Sequence, residues 1–90
     1  MRITFDPAKN TRNIAARGLP FELVANIDWE TALIVDDTRR DYGERRRQVY
    51  GLIGQRLHIA VITDRGDAVH VISLRKANNK EVVRYGQTTR

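Results

Sequence analysis

Between Arg45 and Arg75 the chain carries two tight-turn signals inside sequence that otherwise favours strands, and this restricts its architecture more than any other feature. Gly54-Gln55 follows Val49-Tyr50-Gly51-Leu52-Ile53 and precedes Leu57-His58-Ile59-Ala60-Val61-Ile62. Asp64-Arg65-Gly66-Asp67 then separates that run from Val69, Val71, Ile72 and Leu74. Short aliphatic and β-branched runs joined by glycine-bearing turns make consecutive antiparallel strands. Strands are therefore expected over residues 45–53, 56–63 and 68–75.

The flanks add helices. Ile3-Thr4-Phe5 reads as a short first strand, followed by Asp6 as an N-cap and Pro7 at the first helical position, where a missing N–H costs nothing. That helix is expected to end at Arg17, with Gly18 as its left-handed cap. Pro20 opens a second helix that turns Phe21, Val24, Ala25 and Ile27 inward. Residues 31–35 form another strand and residues 36–43 an exposed polar loop. Asn78 and Glu81 stand at capping-box spacing ahead of a closing helix with Val82, Val83 and Tyr85, which ends near Gly86. The expected fold is α+β: two N-terminal helices and a C-terminal helix on a mostly antiparallel sheet of four to five strands. Ninety residues, 41% of them hydrophobic, suffice for a single domain with a thin core.

Cysteine is absent, which excludes disulfides and thiolate metal sites. No apolar run approaches the roughly 20 residues of a membrane span, and the N-terminus has no signal-peptide pattern, so a cytoplasmic protein is expected. Residues 1–37 carry four basic and six acidic side chains and residues 38–90 twelve and five, for a net charge of +5. A positive excess confined to one half of the chain suggests a face for a polyanion.

The two turns also set a register. With Gly54-Gln55 as the turn, Ile53 pairs with Arg56 and Gly51 with His58. With Thr63 opposite Ala68, His58 pairs with Ser73 and Val61 with His70. Alternation then groups His58, Ala60 and Ile62 with Gly51, Arg45, Arg47, Ser73 and Arg75 on one face. The small residues Gly51, Ala60 and Ser73 leave a hollow around His58 that suits a phosphate. Arg46, Tyr50, Ile59, Val61, His70 and Leu74 fall on the other face, which helices are expected to cover. His58 is thus a candidate proton-transfer group, the alternative being a core histidine with a satisfied ring nitrogen. His70, among aliphatic neighbours, is the lesser candidate. Arg75-Lys76 at a strand end, Arg65 in the second turn and Lys9 in the first helix are further cationic candidates. Tyr42 and Trp29 offer rings on which a base can stack, with a place in the core as the alternative for Trp29.

The two histidines lie twelve residues apart with no third ligand at a regular spacing, so nothing favours a metal site. Neither a glycine-rich phosphate loop nor a Ser-His-Asp arrangement can be read, and no cofactor is expected. Metal-free RNA cleavage asks for less. The 2′-hydroxyl is an internal nucleophile, and the protein supplies a base, an acid and positive charge at the phosphate. DNA lacks that hydroxyl.

Three motifs in order carry a resemblance. Phe5-Asp6-Pro7-Ala8-Lys9 with Asn13, Arg17-Gly18-Leu19 and Phe21 comes first. Asp41-Tyr42-Gly43-Glu44 with Arg46 and Gly51 follows, then Val71-Ile72-Ser73, Arg75-Lys76-Ala77, Glu81 and Tyr85. Together they resemble the BrnT family of toxins. The resemblance implies a RelE-like fold, metal-independent endoribonuclease activity and a BrnA-type antitoxin. That partner's ribbon-helix-helix domain would carry the complex to operator DNA. It also implies a site of Lys9, Arg46, Arg75 and Lys76, with Glu44 behind them. Ile62 stands where such toxins often have a histidine, and His70 where they often have an arginine. One conflict follows: the register sets Arg46 and Arg75 on opposite faces, while the resemblance wants both at the substrate. A bulge or edge position would reconcile them. The competing readings are a non-catalytic nucleic-acid-binding or co-repressor subunit, and an adaptor whose basic face docks an acidic protein.

Overall fold

The computed structural model describes residues 1–88. Strand β1 (Arg2–Phe5) leads into helix α1 (Pro7–Arg17), and a 3-10 turn spans Phe21–Asn26. Strands β2 (Leu33–Asp36), β3 (Arg47–Ile53), β4 (Arg56–Arg65) and β5 (Ala68–Lys76) follow, and helix α2 (Asn79–Thr88) closes the chain. The sheet runs β1-β5-β4-β3-β2, antiparallel except where β1 pairs parallel with β5. No helix among the described residues is long and apolar enough to cross a membrane.

The local signals act as their chemistry requires. Asp6 accepts the Ala8 N–H at 2.9 Å, and Gly18 takes φ 69° while its N–H reaches the Ile14 carbonyl. Asn78 and Glu81 bond each other's backbone N–H, both at 2.9 Å. The second N-terminal helix is a correction: the segment is 3-10 rather than α. Its buried residues explain why, since Phe21, Val24 and Ile27 recur every third position, the spacing a 3-10 turn aligns on one face. Ala25 is exposed.

These three side chains and Leu19 pack on Val49, Ala60, Ile62, Val71 and Leu74, which define the helical face of the sheet. Phe5 meets Phe21 edge-to-face at 5.9 Å. On the opposite face Tyr50, Leu57, Ile59 and Ala77 form a second cluster with Tyr85 of α2. Central strand β4 is buried on both faces from Leu57 to Thr63, as expected of a strand sandwiched between layers.

The β3–β4 register matches the turn argument, with Ile53 opposite Arg56 and Gly51 opposite His58. The β4–β5 register does not. The turn tightens to Gly66-Asp67, so Arg65 rather than Thr63 faces Ala68. Further on, Ile62 faces Val71 but Val61 faces Ser73, which leaves Ile72 as an extra residue in β5. Side chains alternate with period two, so this bulge inverts every β5 position beyond it. Ser73 and Arg75 leave the His58 face and join Val61, Ile59 and His70.

The hollow expected at Gly51 is filled from within the protein. A Cβ built on Gly51 would overlap Cγ2 of Ile27. Gly51→Ala should therefore lower stability by about 1–3 kcal/mol through overpacking, measured by urea unfolding. An unchanged midpoint would mean that Ile27 moves aside freely.

Candidate functional site

One end of the second face lies outside both apolar clusters and carries polar side chains instead. His70 is opposite Thr63 on β4 and opposite Thr4 on β1, while Ser73 is opposite Val61, which faces Gln48 of β3. Arg46, two residues before Gln48, continues the same alternation. The bulge thus removes the conflict over the two arginines: Arg46 and Arg75 project on the same side of the sheet.

His70 is fixed here by Thr4, whose Oγ1 lies 2.9 Å from Nδ1. Burial lowers the imidazole pKa below its ordinary 6.5, and Arg65 and Lys9 push it the same way, against Glu44 and Asp6. The ring is therefore neutral at physiological pH. Those influences also locate it, because Glu44 ahead of β3, Arg65 at the end of β4 and Lys9 of α1 all lie within electrostatic reach. His70, the lesser histidine candidate of the sequence, lies on this face. Its spacing from Thr4 is legible only once β1 is known to pair with β5.

The arginines of this face are held in place. Arg75 makes two bonds to Glu81, at 2.7 and 2.8 Å, and Glu81 is the same residue that caps α2. Arg46 bonds Glu44 at 3.2 Å and lies over the Tyr42 ring at 4.1 Å, a cation–π contact. Glu44 also reaches Arg65 at 3.6 Å. A further arginine went unnoticed in the sequence. Asp37, buried in the loop after β2, accepts Nε and NH2 of Arg39 at 2.8 Å each and the Tyr42 hydroxyl at 3.2 Å. These bonds, Arg39 foremost, hold the Asp37 carboxyl down at about 2. The Arg39 side chain is 62% exposed, and its charge is felt at Arg75. The only sequence signal was Asp37-Thr38-Arg39, a spacing that lets Asp37 also accept the Arg39 backbone N–H at 3.3 Å.

Other candidates lie elsewhere. His58 is a core residue, 5% exposed, with Nδ1 2.9 Å from the Arg56 carbonyl, on the helical face beside Gly51. Trp29 is half-buried against the helical-face core, with its indole Nε1 buried. Arg45 is paired with Asp36 at 2.9 Å, and Arg47 with both oxygens of Asp64 at 2.7 Å. Lys76 lines a depression of about 380 Å³ with Arg17, Leu19 and Arg75. Lys9 and Ser73 line a neighbouring one of about 300 Å³ with Arg12 and Arg17. Among the described residues no three histidine or acidic side chains group as a metal would require.

Residues 5–81 match the family described as the ribonuclease toxin BrnT of type II toxin–antitoxin systems. The chain belongs to the BrnT family. Comparison with individual curated proteins gives no match. The matched span runs from the last residue of β1 through the capping box, and so takes in the bulge, His70 and the Asp37–Arg46 loop. Membership implies an antitoxin partner and an RNA target.

Asp37→Asn should cost about 1–2 kcal/mol at pH 7, discounted for the solvent exposure of Arg39. The Asp37 carboxyl titrates lower in the fold (about 2) than in the unfolded chain (3.8), so its contribution is complete above the unfolded value. It is lost as the pH falls through the folded one, and the gap between variant and wild type should close there. Urea unfolding at several pH values checks this, and a pH-independent gap would contradict an ionic origin.

Proposed function

We propose that the chain is an endoribonuclease toxin that cleaves RNA by transesterification on the open end of the sheet, without a metal. The 2′-oxygen attacks the adjacent phosphorus as the bond from phosphorus to the 5′-oxygen breaks. A 2′,3′-cyclic phosphate and a 5′-hydroxyl result. One proton leaves the 2′-hydroxyl for a base and one is delivered to the departing oxygen. The observation that carries this reading is an imidazole oriented by Thr4 on the same face as two arginines that are each held by a glutamate.

His70 has the properties of the base: it is uncharged near neutral pH and its ring is fixed through Nδ1. Arg46 and Arg75 meet the charge that grows on the non-bridging oxygens, and their fixed forks need no reorganisation as it develops. Glu44 orients Arg46, and Lys9 and Lys76 add positive charge at the rim. Tyr42, already stacked under Arg46, supplies an aromatic surface for a base. An antitoxin of the BrnA type, with a ribbon-helix-helix domain for operator DNA, is the partner this reading expects, and the cytoplasm its place of action. A binding-only subunit would share the positive charge but leave RNA intact.

Expression from a tightly controlled promoter, followed by growth and total RNA, tests the proposal. Arg46→Ala and Arg75→Ala should each lower cleavage on the order of 100-fold or more, and abolish growth arrest, with circular dichroism unchanged. Retained toxicity in both would remove this site. The wild-type rate should rise with pH through a midpoint below 6.5, since the base acts when neutral and its pKa is lowered. His70→Gln should abolish that acid limb; an identical pH profile in the variant would exclude His70 as the base.

A further inference from the structure

Part of the unpaired positive charge of this molecule lies away from the run Arg45-Arg46-Arg47. Arg45, Arg46 and Arg47 are each paired with a carboxylate, from Asp36, Glu44 and Asp64. Arg39 and Arg75 are paired as well. Among the described residues Lys9, Arg12, Arg17, Arg40, Arg56, Lys76, Lys80 and Arg84 have no carboxylate within ion-pair distance. Lys9, Arg12 and Arg17 belong to α1, in the acidic half of the chain.

Lys9, Arg12, Arg17 and Lys76 line two depressions that share Arg17. The depressions of about 300 and 380 Å³ adjoin through Arg17 and form a groove between α1 and the edge of β5. That edge is free because β1 ends at Phe5, opposite Val71. The bulge residue Ile72 and Ser73 line the groove, and Arg75 stands at its far end. Asn13 ties its floor together by donating to the carbonyls of Leu19 and Leu74, at 2.8 and 3.0 Å.

We propose that this groove binds the backbone of a single RNA strand and leads it to the cleavage site. The inference rests on the ribonuclease reading and adds to it the path of the substrate. Like charges gathered without counter-charges destabilise a compact fold through self-repulsion, and a polyanion in the groove relieves this. Lys9 and Arg17 are about 12 Å apart along the helix axis, the span of a few nucleotides. A channel bounded by one helix and one strand edge admits a single chain rather than a duplex. The groove ends at Arg75, one of the two arginines proposed to meet the phosphate, so phosphates bound along it hold the scissile one in register.

The test is binding of a 2′-O-methylated RNA oligonucleotide, which lacks the nucleophile, followed by fluorescence anisotropy over a range of salt. Arg12→Gln with Arg17→Gln should weaken binding about 10-fold and lower the salt slope by about 1.4, the value for two lost phosphate contacts on a single strand. On cleavable RNA the same change should raise KM and leave kcat within about two-fold. Arg17 also bonds Asn13 and the Leu74 carbonyl, so Arg12→Gln alone, with half the change in slope, separates charge from structure. Unchanged affinity and slope in both variants would overturn the groove. So would intact RNA binding with lost antitoxin binding, which would make the groove a protein interface. Groove-dependent binding by a wild-type protein that never cleaves RNA would sustain the groove and remove the nuclease reading instead.

Discussion

The extra residue at Ile72 organises both sides of the sheet. Val69, Val71 and Leu74 all point into the helical-face core, and the step from Val71 to Leu74 is three residues where an unbroken strand allows two or four. Apolar burial therefore demands an irregularity between them, and the bulge supplies it. Its consequence on the other face is Arg75. In a regular strand Arg75 would share the side of Val71, at the position opposite His58 that Lys76 occupies. The hydrophobic pattern thus aims the arginine. The pairing of β1 with β5 ends at the same point, which leaves the strand edge beyond it to α1, where Asn13 and Arg17 take up the Leu74 carbonyl.

Around the site, carboxylates fix arginines rather than cancel them. Glu81 holds Arg75 while capping α2, so the helix start and the arginine fork are one hydrogen-bonded unit. Asp37 does the same for Arg39 from a fully buried position. Removing a carboxylate from water is unfavourable unless its lone pairs are filled, and here two side chains and a backbone N–H fill them. A guanidinium held in this way loses little conformational freedom when it meets a phosphate. The His70 pKa is lowered by burial first and by Arg65 and Lys9 next, charges other than the guanidinium groups held by Glu81 and Asp37.

Much of the fold was legible because its signals are local. The caps at Asp6, Gly18 and Asn78, the turns at Gly54 and Gly66, and the β3–β4 register each depend on residues a few positions apart. The site was legible in its parts but not in its assembly. Arg46, Arg75, Glu44 and Lys9 stand in the motifs, but the turn-based register sets Arg75 beside His58, whereas the bulge sets it on the face of His70. The hollow at Gly51 was read correctly as space, but Ile27, 24 residues earlier in the chain, fills it.

The sequence by itself determined a meander, its flanking helices and a family, because backbone hydrogen bonding and turn chemistry act over short separations. Tertiary structure alone decided which side chains share a face and which charges stay free. Arg47 meets Asp64, Thr4 meets His70, and the cations of α1 meet none of the acids counted in their own half of the chain. Such pairings depend on one bulge in one strand. No count along the chain registers a single-residue change of phase.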